Sequence, residues 1–381
     1  MALQLLHQVG HNSNWNVDSL QDLGLGDGLI LSPLHQNIAA VEKLKPETRA
    51  TSLFDPQFYL PSSRKPKLLT YPFFPESVDG GFQTSTFKAQ ALAVARECVE
   101  FQIKLGFRKV VVPTRFIDQM LTDYVDRQRQ FTVEAFMEAA GDRPLCLSVA
   151  ITSAMIQDAG FRTRLLNWIT SYPNVDEIYL MYQHPRDSKL IQDGDFLREC
   201  LHFFTQIRAT GLALTVGYTN VEGLLFSTVG DLSLTIGSFE NTRIFSIERF
   251  LVSEDERRGP KARIYLSGLM NWLQFEDAKT IRAKAPAVWK AVYRGTAHSE
   301  EALALPVEPT FNQAQLYKHY FENMHDEFRV LDKVSAGDRR VYLLDRLSKA
   351  KHAYEAIAGL GIQLEKHGRG GHVKAWADAL S

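Results

Sequence analysis

Only three cysteines, Cys98, Cys146 and Cys200, occur in the 381 residues. They are widely spaced and odd in number, which excludes a disulfide-stapled scaffold, and no zinc-ligand spacing links them. Reduced, buried thiols are expected, Cys146 in a strand and the other two in helices. Long apolar runs are also missing. No stretch approaches about 18 uninterrupted apolar residues, so no membrane span is expected. The opening Met-Ala-Leu-Gln-Leu-Leu-His lacks a basic segment followed by a long apolar core, so no secretory leader is expected and a cytoplasmic location follows. Charge of one sign is absent as well, since 43 basic against 44 acidic residues leave a net −1. That balance advertises no polyanionic partner and leaves nucleic acid open. Finally, no G-x-G-x-x-G follows the apolar run ending at Leu31. Ser32-Pro-Leu-His35 stands there instead and offers no row of open backbone amides to a pyrophosphate, which disfavours an open doubly wound dinucleotide-binding sheet.

What is present is a series of eight short apolar runs, at 28–32, 51–54, 109–112, 145–149, 177–181, 212–217, 232–237 and 263–266. They are rich in Val, Ile, Leu and Tyr, as strands buried on both faces are. Amphipathic stretches of helical length lie between several of them. One is Ala89 to Leu105, with Leu92, Ala95, Val99 and Ile103 on one face; others are Phe161 to Thr170 and Phe196 to Ala209. Strands alternating with helices imply parallel pairing through right-handed crossovers, and eight such strands close a ring. The expected fold is therefore α/β, a (β/α)8 TIM-type barrel with a C-terminal helical appendage. With 45% apolar residues, the chain can fill a barrel of about 250 residues and have material left over.

The expected organisation is an irregular lead-in over 1–27, a barrel over 28–300, and a helical hairpin with a polar tail over 310–381. Leu316, Tyr320, Met324, Phe328 and Leu331 share one helical face, and Leu343, Leu347, Ala350, Tyr354 and Ile357 another. Ser335 is the N-cap candidate between them. Such helices are candidates for holding a protein partner. The tail Lys366-His-Gly-Arg-Gly-Gly-His-Val-Lys374 reads as a frayed polar terminus with some capacity for phosphate contact. Pro61, Pro66, Pro72 and Pro75, with Arg64, Lys65 and Lys67 among them, mark a long loop on the side where barrel active sites form. The charged stretch from Ser253 to Lys261 reads as a solvated loop on the opposite side.

Barrel enzymes gather their reacting groups at the carboxyl ends of the strands. Applied to the predicted strands, that rule selects Asp55 and Glu240 as a carboxylate pair suited to glycosyl transfer. Around them stand His35, Gln57, Phe58, Arg115, His184, Ser238, Asn241 and Arg243 as candidate substrate-binding residues. Gly237-Ser238 and Ser267-Gly268 suggest a phosphate cradle, with Arg115 or Arg243 adding bidentate contacts. His35, His184 and Asp55 make an incomplete metal set, since no His-x-His follows the first predicted strand, and neither a metal nor another cofactor is expected. No predicted strand end carries a lysine, which disfavours lyase or isomerase chemistry that depends on one.

Phe54-Asp-Pro-Gln-Phe58, Gly80-Gly-Phe-Gln83 and Gly237-Ser-Phe-Glu-Asn-Thr-Arg243 together resemble segments of tRNA-guanine transglycosylase-type barrels. That family carries an Asp-Ser-Gly-Gly-Phe-Gln segment and a later aspartate nucleophile. Here Gly-Gly-Phe-Gln follows Val78-Asp79, the nucleophile position falls on Glu240, and the zinc-binding cysteine cluster is missing. The resemblance implies Asp55 as the base-side carboxylate, Phe58 or Phe82 stacking on a nucleobase, and Gln57 or Gln83 reading its edge. The functional expectation is action on an N-glycosidic bond of a nucleoside, nucleotide or nucleic acid. Its alternative is a catalytically degenerate barrel serving as a binding or assembly subunit.

Overall fold

The computed structural model describes residues 2–78, 80–252 and 259–381. Eight parallel strands form one sheet: β1 (Gln4–Gln8), β2 (Gly28–Leu31), β3 (Leu53–Phe54), β4 (Val110–Val112), β5 (Leu145–Thr152), β6 (Val175–Gln183), β7 (Ala213–Val216) and β8 (Ser233–Gly237). Their order is β3-β2-β1-β8-β7-β6-β5-β4, so neighbours in space are neighbours in sequence except where β8 meets β1. The end strands β3 and β4 lie side by side. Across that seam the Arg108 N–H donates to the Ser52 carbonyl at 3.0 Å. The fold is the expected (β/α)8 barrel, but one member of the ring differs from the predicted set.

The lead-in is not irregular. Gln4 to Gln8 pairs with β2 on one side and, over five positions, with β8 on the other. It reads poorly as a strand because Gln4, His7 and Gln8 interrupt its apolar residues, and their partners lie elsewhere in the chain. The Gln8 Oε1 accepts from the Tyr179 hydroxyl at 3.1 Å. His7 donates through Nε2 to the Leu25 carbonyl at 2.7 Å and accepts at Nδ1 from Asn16, whose Oδ1 accepts from Ser238. Conversely, Arg263–Leu266 is not a barrel strand. It is β9, and it forms an antiparallel hairpin with β10 (Asn271–Gln274) outside the ring.

The C-terminal unit therefore starts with this hairpin rather than near residue 310. Ile264, Leu266, Leu273, Phe275, Ile281, Trp289 and Ile357 build a core of their own there. The long helices Ala314–Asp332 and Ala336–Gly359 lie close to the predicted ranges, and the Ser335 side chain caps the second by accepting from the Asp338 N–H. Their apolar faces turn inward, and the first helix is pinned to the barrel by polar contacts. Asp332 accepts from the Leu3 N–H at 3.0 Å, and Arg329 pairs with Asp27 at 2.8 Å. The tail is no frayed terminus: Gly371–Leu380 is a helix whose Trp376 is fully buried and donates to the Ile191 carbonyl at 2.8 Å.

Two local expectations shift. The helix Phe87–Lys104 buries Ala91, Val94, Ala95, Cys98 and Val99, leaving Ile103 exposed, so its inward face is rotated from the predicted one. The proline-bearing segment after β3 holds two short 3-10 turns and tucks Tyr71, Phe73 and Phe74 into the core. All three cysteines are buried and free. Residues 253–258 of the charged stretch before β9, and Asp79, lie outside the described residues. Among the described residues no helix is long and apolar enough to cross a membrane.

Candidate active site at the barrel mouth

Parallel strands end together, so the segments after β1, β2, β6 and β8 meet at one mouth. The turn after β8 is tight: a Cβ on Gly237 would stand 2.1 Å from the Thr242 hydroxyl oxygen. That turn carries Glu240 out over the mouth, where it lines three adjoining cavities of about 760, 550 and 370 Å³. Its carboxylate pairs with Lys189 from the segment after β6. Burial raises its proton affinity, but Lys189, Arg243 and Arg263 together more than offset this and hold the pKa below the usual range. Glu240 is thus an ionised carboxylate open to a ligand. Its partner is Lys189, not the nearby Arg243.

The smallest of the three cavities has aromatic walls, formed by Phe239, Trp272, Phe311 and Tyr317, with His11 and Arg243 also facing it. The Arg243 guanidinium stacks 4.3 Å from the Trp272 ring centroid and 5.5 Å from that of Tyr320. Delocalised and weakly hydrated, it suits such a sandwich. The largest of the three is lined by His184, Arg186 and Lys189 together with Asp118 and Glu248. Under it, Arg186 pairs at 3.2 Å with the fully buried Glu222, whose pKa burial raises in spite of that cation. His184 lies flat on Phe196, with centroids 4.2 Å apart and planes within 5°. Burial, with Arg186 adding repulsion, lowers its pKa to about 4, so it is neutral near pH 7.

Asp55 is elsewhere. It sits inside the barrel at the end of β3, fully buried, and lines none of the three cavities. The Tyr59 hydroxyl lies 2.8 Å from both of its oxygens, and the Gln57 N–H donates to Oδ1 at 3.0 Å. Burial, only partly offset by these two contacts, lifts its pKa to about 7. Asp55 and Glu240 therefore share a rim but no cavity, and the expected carboxylate pair is not assembled. Gln57 is equally enclosed: its Oε1 accepts from Ser32 and from the Leu34 N–H, both at 3.0 Å.

Several other candidates belong to the packing. Phe58 is fully buried against Phe74 and Phe136, and Phe82 packs on Phe87 and Phe131, so neither ring is free for a base. Gln83 is exposed, and its carbonyl accepts from the first amide of the following helix. Arg115 stands 5.8 Å from the Phe131 ring centroid, away from the three cavities. Ser238 is spent on Asn16. A Cβ on Gly268 would meet Val292 at 2.5 Å, so that glycine serves close packing. The expected phosphate cradle is accordingly not formed by Gly237-Ser238 and Ser267-Gly268. His35, His184, Asn241 and Arg243 do line the mouth cavities together with Glu240. His35 and His184 face different cavities, and among the described residues no group of three His, Cys, Asp or Glu side chains is placed to hold a metal ion.

The sequence reading missed His11, Lys65, Lys189, Arg249 and Trp272. His11 follows the unrecognised β1, and Trp272 lies in the hairpin taken for a barrel strand. Lys189 lies as far past β6 as Arg243 does past β8 and was passed over, whereas Arg249 lies farther out than a rule based on strand ends reaches. Lys65 had a signal in the basic residues of the proline-bearing segment. Compared with family models, with curated proteins and with solved structures, the chain matches none, and the chemistry of the mouth carries the functional reading by itself.

Proposed function

We propose that this barrel is an enzyme acting at the N-glycosidic bond of a nucleoside-type substrate. The observation that carries the reading is Glu240, an ionised carboxylate on the wall shared by an aromatic slot and the open mouth. A flat, partly polar base fits against the wall of the cavity that Phe239, Phe311 and Tyr317 line, with the Arg243 guanidinium, itself packed on Trp272, supplying charge there. The sugar then lies over Glu240. As the carbon–nitrogen bond breaks, its electron pair leaves with the base, positive charge develops on the sugar ring, and a water molecule from the open mouth adds to the ring carbon and releases a proton to solvent. A fixed anion beside that ring stabilises the transition state more than the ground state. His11, on the wall of the same slot, is the side chain to which this reading gives proton transfer to the departing base. The roles expected of Asp55 as a reacting group, and of Phe58 as a stacking ring, do not enter this reading.

Incubation with nucleosides, nucleotides and short single-stranded RNA, with free base followed chromatographically, tests the proposal. Base release that Glu240→Gln abolishes while leaving binding intact is the expected result. Unchanged turnover in that variant, or no binding by any member of the panel, overturns it.

A further inference from the structure

The cavity of about 550 Å³ on the other flank of Glu240 differs in character from the aromatic slot. Its walls include His35, Lys65, Asn241 and Arg249. Lys67 stands behind, donating through Nζ to the His35 carbonyl at 2.6 Å. Arg249 stands 5.3 Å from the Tyr218 ring centroid and interacts with the Tyr218 hydroxyl, with no carboxylate in direct ion-pair contact. Among the described residues, no carboxylate lies within ion-pair distance of Lys65, Lys67 or Arg249. The acidic groups on this wall are Glu240, already paired with Lys189, and Glu248. The packing therefore brings Lys65 and Arg249 to one wall without an ion pair of their own, although the Glu240 charge acts on Arg249 across the cavity. His35 registers the crowding: burial first, then Arg249, Lys67, His11 and Lys65, push its pKa down to about 3.

A partly buried guanidinium without an anion is costly, and an incoming anion that accepts its hydrogen bonds recovers that cost. The slot for a base and this cationic cavity adjoin the same carboxylate. We infer that the cavity receives a phosphate group of the substrate, held by Arg249 and Lys65, so that the substrate class is a nucleotide or an oligonucleotide rather than a free nucleoside. This rests on the reading of the mouth as a nucleoside site.

Calorimetric titration of the full chain with inorganic pyrophosphate, a nucleoside, its 5′-monophosphate and a dinucleotide separates the cases. The monophosphate should bind about tenfold or more tightly than the nucleoside at low salt, an advantage that shrinks as salt rises. Lys65→Gln, at a partly exposed site, and Arg249→Gln should remove that advantage and leave nucleoside affinity unchanged; the lysine variant serves if the arginine variant does not fold. Trp272→Ala should weaken the nucleoside itself. A dinucleotide that outbinds the monophosphate identifies a phosphodiester as the bound group. Equal affinities for nucleoside and monophosphate, or a phosphate advantage that survives Lys65→Gln, overturn the inference while the nucleoside site stands. Pyrophosphate binding that Lys65→Gln removes, without any nucleoside binding, upholds the anion site and overturns the nucleoside reading.

Discussion

The Gln57 side-chain amide donates to the Tyr218 hydroxyl at 3.1 Å, joining the ends of β3 and β7 across the barrel interior. Both residues hold left-handed backbones, with φ of 58° and 54°. Such conformations cost on the order of 1 kcal/mol or more each in residues with a Cβ, and surrounding contacts must enforce them. Gln57 has those contacts, since its carbonyl oxygen satisfies both Ser32 and the Leu34 amide. Gln57→Leu should leave these buried donors stranded and lower stability by about 2–4 kcal/mol, against about 1 kcal/mol for Tyr218→Phe. Urea unfolding of the two variants measures the difference. Equal costs would remove Gln57 from its place as the hub.

Asp55 predicts an unusual pH dependence. Its carboxyl is lifted from 3.8 to about 7 by burial. The folded state thus binds the proton more tightly than the unfolded chain, so the contribution to stability is full below pH 4 and is lost as pH rises toward 7. Asp55→Asn avoids the charge and should stabilise the protein at pH 8, by up to about 4 kcal/mol, with a smaller gain at pH 5. Thermal unfolding of both proteins across that range would show parallel curves if the buried carboxylate were not responsible.

Buried histidines act in the opposite direction. His7, His319 and His372 are each lowered to about 4, chiefly by burial, so they fold as neutral rings. Their contribution is complete above pH 6.5 and is lost as pH falls toward 4, by up to about 3 kcal/mol for each ring. His372 donates through Nε2 to the Leu269 carbonyl, while its Nδ1 is buried without a partner. His372→Gln keeps a donor and removes the titration. Its acid unfolding midpoint should move to lower pH, and an unmoved midpoint would contradict the assignment.

Lys189 sets the charge of Glu240. If the carboxylate works ionised, Lys189→Met should raise its pKa and shift the acid limb of the pH–rate profile upward, with little loss of rate on the alkaline side. A profile that keeps its shape and merely drops would mean that the lysine contacts the substrate instead.

The last helix of the C-terminal appendage is packed firmly against the barrel. Trp376 is fully buried and bonded to the segment after β6. Trp376→Ala should cost about 3–5 kcal/mol, read as a drop in the unfolding midpoint. A cost below 1 kcal/mol would restore the tail as an independent element.

The sequence by itself determined the class of fold. Runs such as Val110–Val112 and Leu145–Thr152 have neighbours on both faces and are apolar except at Ser148 and Thr152, so their composition alone betrays them. Seven strands, the long C-terminal helices and the Ser335 cap were legible for the same reason, because each depends on residues close together in the chain. β1 was not, since its His7 and Gln8 are acceptable inside the barrel only through Asn16 and Tyr179. The candidate site divides in the same way. Glu240, His35, His184, Asn241 and Arg243 lie in the segments that follow predicted strands, and they line the mouth cavities. Tertiary structure alone decided that Asp55 points into a sealed interior, that Lys189 meets Glu240, and that Trp272 and Arg249 complete the walls. Charge and burial depend on which distant segments pack together, and a local pattern of residues does not carry that information.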